Sequence, residues 1–125
     1  MSALVWPDVR KAVHTLIRET GLATPEYILP HPLSANLPVV NTHVQRSSEG
    51  YIDRVVWVAV DVYAAPGESM GIANALVTAI ANRPHDVPGI GYLDSVEVEQ
   101  VPTDVPRPDE TEQTQFVLRV TARPV

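Results

Sequence analysis

The chain has 125 residues, of which 45% are hydrophobic and none is cysteine. A domain of this size buries roughly two thirds of the surface that its unfolded chain exposes, which is enough for one core. The lack of cysteine excludes disulfide bonds and thiolate zinc sites. No stretch approaches the roughly 20 apolar residues of a membrane-spanning helix, and the start has no signal-peptide pattern. We therefore predict one soluble domain, residues 1–125, without a membrane partner.

The net charge of −6 is unevenly distributed along the chain. Residues 94–112 contain seven acidic residues and one base, Arg107, and the only lysine of the chain is Lys11. Affinity for nucleic acid comes largely from Lys and Arg side chains that neutralise phosphates. We therefore expect no tight binding of nucleic acid, although an acidic wall past which DNA slides without binding is compatible with this composition.

The first predicted element is a helix over residues 7–20. Pro7 suits the first helical position, Asp8 lies favourably at the positive end of the helix dipole, and Gly21 is a good C-terminal stop. Apolar residues recur at helical spacing and form one stripe. The stripe consists of Val5, Val9, Ala12, Val13, Leu16 and Ile17.

The next segments predict strands. Residues 27–29 lie between prolines and predict a short edge strand. Residues 39–46 and 52–64 alternate in the manner of strands, and the turn-forming residues 47–51 between them predict an antiparallel hairpin. In the second strand Val56, Val58, Val60 and Val62 share one face.

The second half begins with a break at residues 65–67 and a predicted helix over 68–82, which Arg83-Pro84 ends. Residues 84–93 predict a loop, 95–101 a half-exposed strand, 102–112 a mobile acidic loop, and 114–123 the last strand. The predicted order is α-β-β-β-α-β-β. It indicates an α+β fold with a mostly antiparallel four- to five-stranded sheet and two helices packed on one face.

No pattern of residues indicates catalysis, a metal or a cofactor. The four histidines lack the i, i+4 spacing of a helical metal site, and no serine lies in a nucleophile-elbow context. Gly89-Ile90-Gly91 follows no predicted strand and is interpreted as a turn. Glu97 and Glu99 share a strand face, but nothing predicts the desolvated pocket that carboxylate chemistry needs. We therefore predict that the protein is not an enzyme.

The central strand is apolar on both faces, and two helices cover only one of them. Val55, Trp57, Ala59 and Tyr63, with Val117 beside them, would form a patch that needs a partner. Alternatively, the N-terminal segment or the loop around Tyr27 covers this patch. The residues that we predict at a subunit interface are Trp57, Asp61, Tyr63, Arg119 and Arg123.

Asp61 interrupts this apolar strand, and two explanations stay open. Its carboxylate could meet Arg119 or Arg123 on a neighbouring strand of the same chain. Equally, it could form a salt bridge to another subunit.

Four features in order give the chain a resemblance to a known family. They are the amphipathic helix 7–20, the strand 55–64 (VVWVAVDVYA) followed at once by a helix containing Ala73-Asn74-Ala75-Leu76, the strand around Val96-Glu97-Val98 that runs into an acidic loop, and the closing strand 116–123 (FVLRVTAR). Together they resemble the tail terminator proteins of long-tailed bacteriophages, also called tail-completion or head-to-tail joining proteins. The resemblance extends over nearly the whole chain.

The resemblance implies a homohexameric ring that caps the tail tube, stops its polymerisation and presents a surface to the head connector. The expected partners are other copies of the chain, the tail tube protein and the connector or stopper protein. The expected location is the virion, at the head–tail junction, after synthesis in the host cytoplasm. The acidic residues would face the lumen, through which DNA passes without specific binding. These candidates are Glu97, Glu99, Asp109, Glu110 and Glu112.

Three alternatives to a terminator stay open. Another neck or connector protein of the same particle would share the general shape. A small ligand-binding α+β oligomer would have a different mass, with two subunits as the expected value. A small enzyme would need a buried polar pocket with convergent titratable groups.

Overall fold

A computed structural model of the protein describes residues 6–49 and 53–124. Over these residues the fold contains two α-helices and six strands, in the sheet order β1-β2-β3-β6-β5-β4. The predicted α+β class with two helices is confirmed. The elements in chain order are α1 Val9–Thr20, β1 Thr24–Glu26, β2 Val39–Glu49, β3 Arg54–Ala64, α2 Ser69–Ile80, β4 His85–Val87, β5 Gly91–Val105 and β6 Glu112–Ala122.

Helix α1 ends at Thr20 as predicted but begins at Val9, two residues later than predicted, because Asp8 is the N-cap and Pro7 lies before the helix rather than at its first position. The Asp8 carboxylate accepts a hydrogen bond from the backbone N–H of Lys11 at 3.1 Å and so caps the first turn. Gly21 adopts the left-handed conformation, with a φ of 69°, and its N–H donates to the Arg18 carbonyl. The buried side of the helix carries the predicted stripe from Val9 to Ile17. Val5 of that stripe lies outside the described residues.

The core lies between the helices and one face of the sheet. Alternate residues of β3, from Val56 to Val62, face the helices together with the matching residues of β6, from Phe116 to Ala122. The inner sides of both helices complete this single cluster, with Ile17 of α1 and Leu76 of α2 fully buried. The fold therefore leaves the opposite face of the sheet without a helix.

The sheet has six strands rather than four or five, and one pair of neighbours is parallel. β1 pairs with β2 in parallel, and the other four pairs are antiparallel. The first strand covers Thr24–Glu26 instead of the predicted residues 27–29, because Tyr27 turns away to stack on His14 of α1 with 4.1 Å between the ring centroids. Neither described helix is long and apolar enough to cross a membrane.

Two predicted loops are largely strand. β2 continues to Glu49, so residues 47–49 are not a turn; residues 50–52, which hold the rest of that turn and the start of the predicted strand 52–64, lie outside the described residues. The predicted loop 84–93 contains β4 and the start of β5. β5 then runs on to Val105, so the predicted acidic loop 102–112 shrinks to residues 106–111. Three register shifts along β5 disturb the alternation that would have predicted its length.

Candidate assembly surface

The helix-free face of the sheet is not the open apolar patch that its sequence predicts. Ala59 and Val117 lie side by side in register and are fully buried, although no helix covers them. Val55 and Trp57 are half-buried. Arg46 of the neighbouring strand β2 lies over this face, with its guanidinium carbon 4.0 Å from the centre of the Trp57 ring. The chain thus covers most of this face with its own side chains.

The loop around Tyr27 does not provide this cover. Tyr27 lies on the helix side of the sheet, where its ring stacks on His14 and Arg10 lies 4.9 Å from the ring centre. Arg46 reaches Trp57 because the register between β2 and β3 shifts between Val44 and Arg46. A β-bulge of this kind redirects a side chain. The indole N–H of Trp57 is buried without a hydrogen-bond partner among the described residues.

Asp61 is held by amides and not by arginines. One carboxylate oxygen accepts hydrogen bonds from the side-chain amides of Gln113 and Gln115, both at 2.9 Å. The other oxygen lies 3.7 Å from Nδ1 of His43. The residue is 95% buried, with 5% of its surface exposed. The explanation in which Asp61 meets Arg119 or Arg123 is therefore wrong, because Gln113 and Gln115 stand opposite β3 at this level of the sheet.

Arg119 and Arg123 instead bind acids of β5. Arg119 lies 3.3 Å from the carboxylate of Glu97, which is its direct neighbour across the β5–β6 pair. The Nε of Arg123 donates to both carboxylate oxygens of Asp94, at 2.9 and 2.8 Å. Each pair is exposed to solvent, where ion pairs contribute about 0–1 kcal/mol. These contacts satisfy the two arginines within one chain.

Tyr63, the remaining interface candidate, is buried. Only 7% of its surface is exposed, and the guanidinium of Arg107 lies 5.1 Å from its ring centre. Burial raises the pKa of the Tyr63 hydroxyl, and the nearby negative charge of Asp61 adds to the effect. Among the five predicted interface residues, Trp57, Arg119 and Arg123 are therefore the ones that solvent reaches substantially.

The acidic residues at 94–112 are mostly committed to contacts within the chain. Asp109 binds Arg107 at 2.9 Å and accepts from Thr111, and the Arg107 hydrogen bond holds the pKa of its carboxyl well below the usual range. Glu112 accepts from the backbone N–H groups of Gly67 and Ser69, both at 3.0 Å. With Glu97 bound to Arg119, the exposed lumen candidates without a cation in contact, within residues 6–49 and 53–124, are Glu99 and Glu110.

The surface also contains two strand edges that the sequence analysis did not single out. β1 pairs with β2 only along Val39–Asn41, and the seven residues 43–49 that follow are all exposed. On the other side of the sheet, β4 pairs only with the start of β5, residues 91–93. Slightly further along β5, the Val96 carbonyl accepts a hydrogen bond from the backbone N–H of Asn82 at 2.6 Å. Residues 97–105 continue beyond that point. Within the described residues these two segments, hereafter the β2 edge (43–49) and the β5 edge (97–105), pair on one side only.

Each edge carries an exposed valine. Val44 on the β2 edge is 46% exposed, and Val101 on the β5 edge is 68% exposed. Unpaired strand edges are templates for pairing with another chain. A sequence signal existed for the β2 edge: apart from Val44, the run His43–Glu49 is polar on both faces of a strand, which a strand covered on one face would not be.

The described residues do not assemble a metal centre. No group of three or more His, Asp or Glu side chains lies close enough together to hold an ion within the ranges 6–49 and 53–124. A hollow of about 480 Å³ lies between residues 31–34 and residues 107–111. Of its charged side chains, Arg107 and Asp109 are bonded to each other, and Glu110 is exposed.

No protein-family model and no curated protein sequence matches this chain. The functional argument therefore depends on the fold, the surface and the residues described above.

Proposed function

We propose that this protein is the tail terminator of a long-tailed bacteriophage: a structural subunit that forms a ring on the end of the tail tube, stops its polymerisation and joins it to the head connector. The observation that carries this proposal is the pair of strand edges on opposite sides of one sheet. The two edges differ in sequence, so a contact between them is head-to-tail.

Head-to-tail contacts produce a closed ring when the rotation between neighbours closes, and an open filament when it does not. Six copies, the number that the resemblance to terminators implies, would match the symmetry of tube subunits beneath the ring. The proposed partners are the tail tube protein on one surface and the connector or stopper protein on the other. The proposed location is the head–tail junction of the virion.

The charge of the chain supports a lumen through which DNA moves. A net charge of −6 with one lysine gives phosphates little to bind. Glu99 and Glu110 supply the unneutralised negative charge in this proposal, while Glu97, Asp109 and Glu112 serve contacts within the chain. The role is structural, without catalysis or a cofactor.

The test combines a mass measurement with a polymerisation assay. Native mass spectrometry of the purified protein, alone and with tail tubes, should give six subunits. Added to polymerising tail tube protein, the chain should limit tube length in proportion to its concentration, and electron microscopy should locate it at one end of each tube. Ovalbumin, another acidic protein, serves as the control and should not change tube length.

Two results would contradict the proposal. Copurification with empty heads and not with tubes would indicate another neck protein of the particle. A stable mass of two subunits under all conditions would favour a small ligand-binding oligomer.

A further inference from the structure

The register of the sheet gives the position of each open edge along the strand direction, which can be expressed by the residues of β6 that lie at the same level. Along β6, the β2 edge lies level with residues 117–122, since His43 aligns with Val117 and Glu49 with Ala122 through β3. The β5 edge lies level with residues 113–119, since Val105 pairs with Gln113 and Glu97 with Arg119. The two open segments are thus displaced from each other along the strand direction.

Short strands close the remainder of each edge. β1 covers β2 at the levels of residues 113–115 of β6, below the β2 edge. β4 covers β5 from the level of Ala122 onwards in the direction of the C-terminal end of β6. Asn82 adds a backbone contact at the level of Val120, next to the end of the β5 edge. Each side of the sheet therefore has a notch, and the two notches lie at opposite ends.

We propose that neighbouring copies join by antiparallel pairing of the β2 edge of one copy with the β5 edge of the next, slid along each other by about three residues, or about 10 Å at the rise of an extended strand. This interface rests on the head-to-tail association of the proposed function and names the surfaces that make it. β2 and β5 run in opposite directions in the sheet, so two copies in the same orientation present an antiparallel pair. In the direction of the C-terminal end of β6, the slide places the β5 edge beyond the neighbour's β1. It also places the β4 of the copy that supplies the β5 edge beyond the neighbour's Glu49.

The charges of the edges select this pairing over a symmetric one. The β5 edge carries Glu97, Glu99 and Asp104, whereas the β2 edge carries Arg46 and His43 beside a single acid, Glu49. Two β5 edges would bring like charges opposite each other, which destabilises a strand pair. After the slide of three residues, His43 of the β2 edge lies opposite Asp104 of the β5 edge, which brings a basic and an acidic side chain together. Glu49 then lies opposite Glu97, but each of these glutamates already pairs with an arginine of its own chain, Arg54 and Arg119.

The irregularities of β5 limit which strand can pair with it. Pro102 has no N–H to donate, and register shifts occur between Val98 and Gln100 and between Gln100 and Thr103. Such features protect an edge from indiscriminate pairing. They restrict new hydrogen bonds to the two sides of Pro102.

The slide also affects the geometry of the whole ring. A fixed stagger between neighbouring strands closes on itself only when the strands tilt relative to the ring axis, so the strands of the ring should be tilted.

Cysteine cross-linking tests the pairing directly, since the chain has no cysteine of its own. Ser47 and Gln100 are exposed and come opposite each other after a slide of three residues. A mixture of Ser47→Cys and Gln100→Cys proteins, treated with a short bis-maleimide, should give covalent dimers. The double variant should give a ladder that ends at the ring. Ser34→Cys, at an exposed position that belongs to neither edge, is the matched control for Ser47→Cys and should give no dimer with Gln100→Cys.

A pair of charge variants tests the same interface without chemical cross-linking. Val44→Glu places a negative charge against the acidic β5 edge and should weaken assembly by about tenfold or more. Val44→Lys, of similar length at the same exposed position, should retain it. Circular dichroism of both proteins at the same concentration checks that the fold is unchanged.

The outcomes separate this inference from the proposed function. A six-subunit mass without cross-links between Ser47→Cys and Gln100→Cys, or with Ser47→Cys linked only to itself, overturns the edge pairing and leaves the terminator proposal standing. A monomeric mass both alone and with tail tubes overturns both. Equal assembly of Val44→Glu and Val44→Lys also counts against the edge pairing.

Discussion

Glu112, the first residue of β6, caps a helix that precedes it by more than 40 residues in the chain. One of its carboxylate oxygens accepts a hydrogen bond from the backbone N–H of Ser69 at 3.0 Å, and the Ser69 hydroxyl donates to the same oxygen. Glu68, at the N-cap position of α2, makes no side-chain capping hydrogen bond. A carboxylate at a helix N-terminus satisfies free N–H groups and interacts favourably with the dipole. Glu112 therefore joins α2 to the sheet.

Replacement of Glu112 by Gln should lower thermal stability, and the loss should depend on pH. The hydrogen bonds from Ser69 and Gly67 hold the pKa of Glu112 below its ordinary value of 4.5. A lowered carboxyl pKa stabilises the fold fully above pH 4.5, and this contribution is lost as the pH falls through the folded-state pKa. Melting temperatures of wild type and Glu112→Gln should thus differ at pH 7 and converge in acid.

Glu110→Gln is the matched control, because Glu110 is exposed two residues away and makes no side-chain hydrogen bond within the described chain. It should melt close to wild type at every pH. A constant difference between wild type and Glu112→Gln down to the lowest pH would show that the lost charge does not act through this cap.

His14 should make the protein less stable in mildly acidic solution. Its ring is buried under Tyr27, and its Nε2 shares a hydrogen bond of 2.5 Å with the Thr42 hydroxyl. Burial, with the charges of Arg10 and Arg18, lowers its pKa from 6.5 to about 4. The unfolded chain then takes up the proton first, so stability is complete above pH 6.5 and falls as the pH drops from 6.5 towards 4. The expected loss is about 3 kcal/mol by the relation between a pKa shift and free energy.

Urea unfolding at closely spaced pH values measures this loss. His14→Leu should lower stability at pH 7 but flatten the dependence of stability on pH between pH 6.5 and about 5, a range above the ordinary pKa values of Asp and Glu. His85→Gln, at a half-buried histidine bonded to the Ile80 carbonyl, should keep the wild-type slope. An unchanged slope in His14→Leu would assign the pH dependence to another group.

The sequence predicted those parts of the fold that depend on local periodicity. The stripe and caps of α1 and the alternation of β3 are complete within their own segments. The length of β5 was missed because three register shifts and Pro102 break its alternation, and β1 was missed because it consists of three residues with a proline in the middle. Patterns in the local sequence do not predict a strand that forms only because it pairs with neighbouring strands.

The contacts of the sheet face were missed for a similar reason. The partners of Asp61 lie 52 and 54 residues further along the chain, so they follow only from the register of β3 against β6. The position of Arg46 over Trp57 depends on a bulge in β2. Burial of Ala59 and Val117 on the face without a helix could not be deduced by counting helices.

Asp61 should act on stability and not on assembly. Asp61→Ala removes the acceptor of the part-buried Gln113 and Gln115 amides, and the loss of hydrogen bonds to a charged group costs about 1.5–3 kcal/mol. Urea unfolding should show this loss, while native mass spectra of the folded protein keep the wild-type mass. His43→Gln is the control, because the His43 side chain is 52% exposed and 3.7 Å from the carboxylate. A lower oligomer mass with unchanged monomer stability would restore Asp61 as a salt-bridge partner of another subunit.

Trp57 should report on ring formation. It is half-buried beneath Arg46, which lies on the β2 edge, so a neighbouring strand on that edge would further cover its ring. In a Trp6→Phe background Trp57 is the only tryptophan. Its fluorescence should then shift to the blue, and quenching by acrylamide should fall, as the protein concentration rises through the assembly range.

Trp57→Ala should leave the fold intact and raise the concentration needed for assembly about tenfold, the effect of losing roughly 1.4 kcal/mol of interface contact. The converse protein, Trp57→Phe with Trp6 retained, should show a smaller change in quenching. If Trp57 fluorescence is independent of oligomer mass, the β2 edge is not covered in the ring.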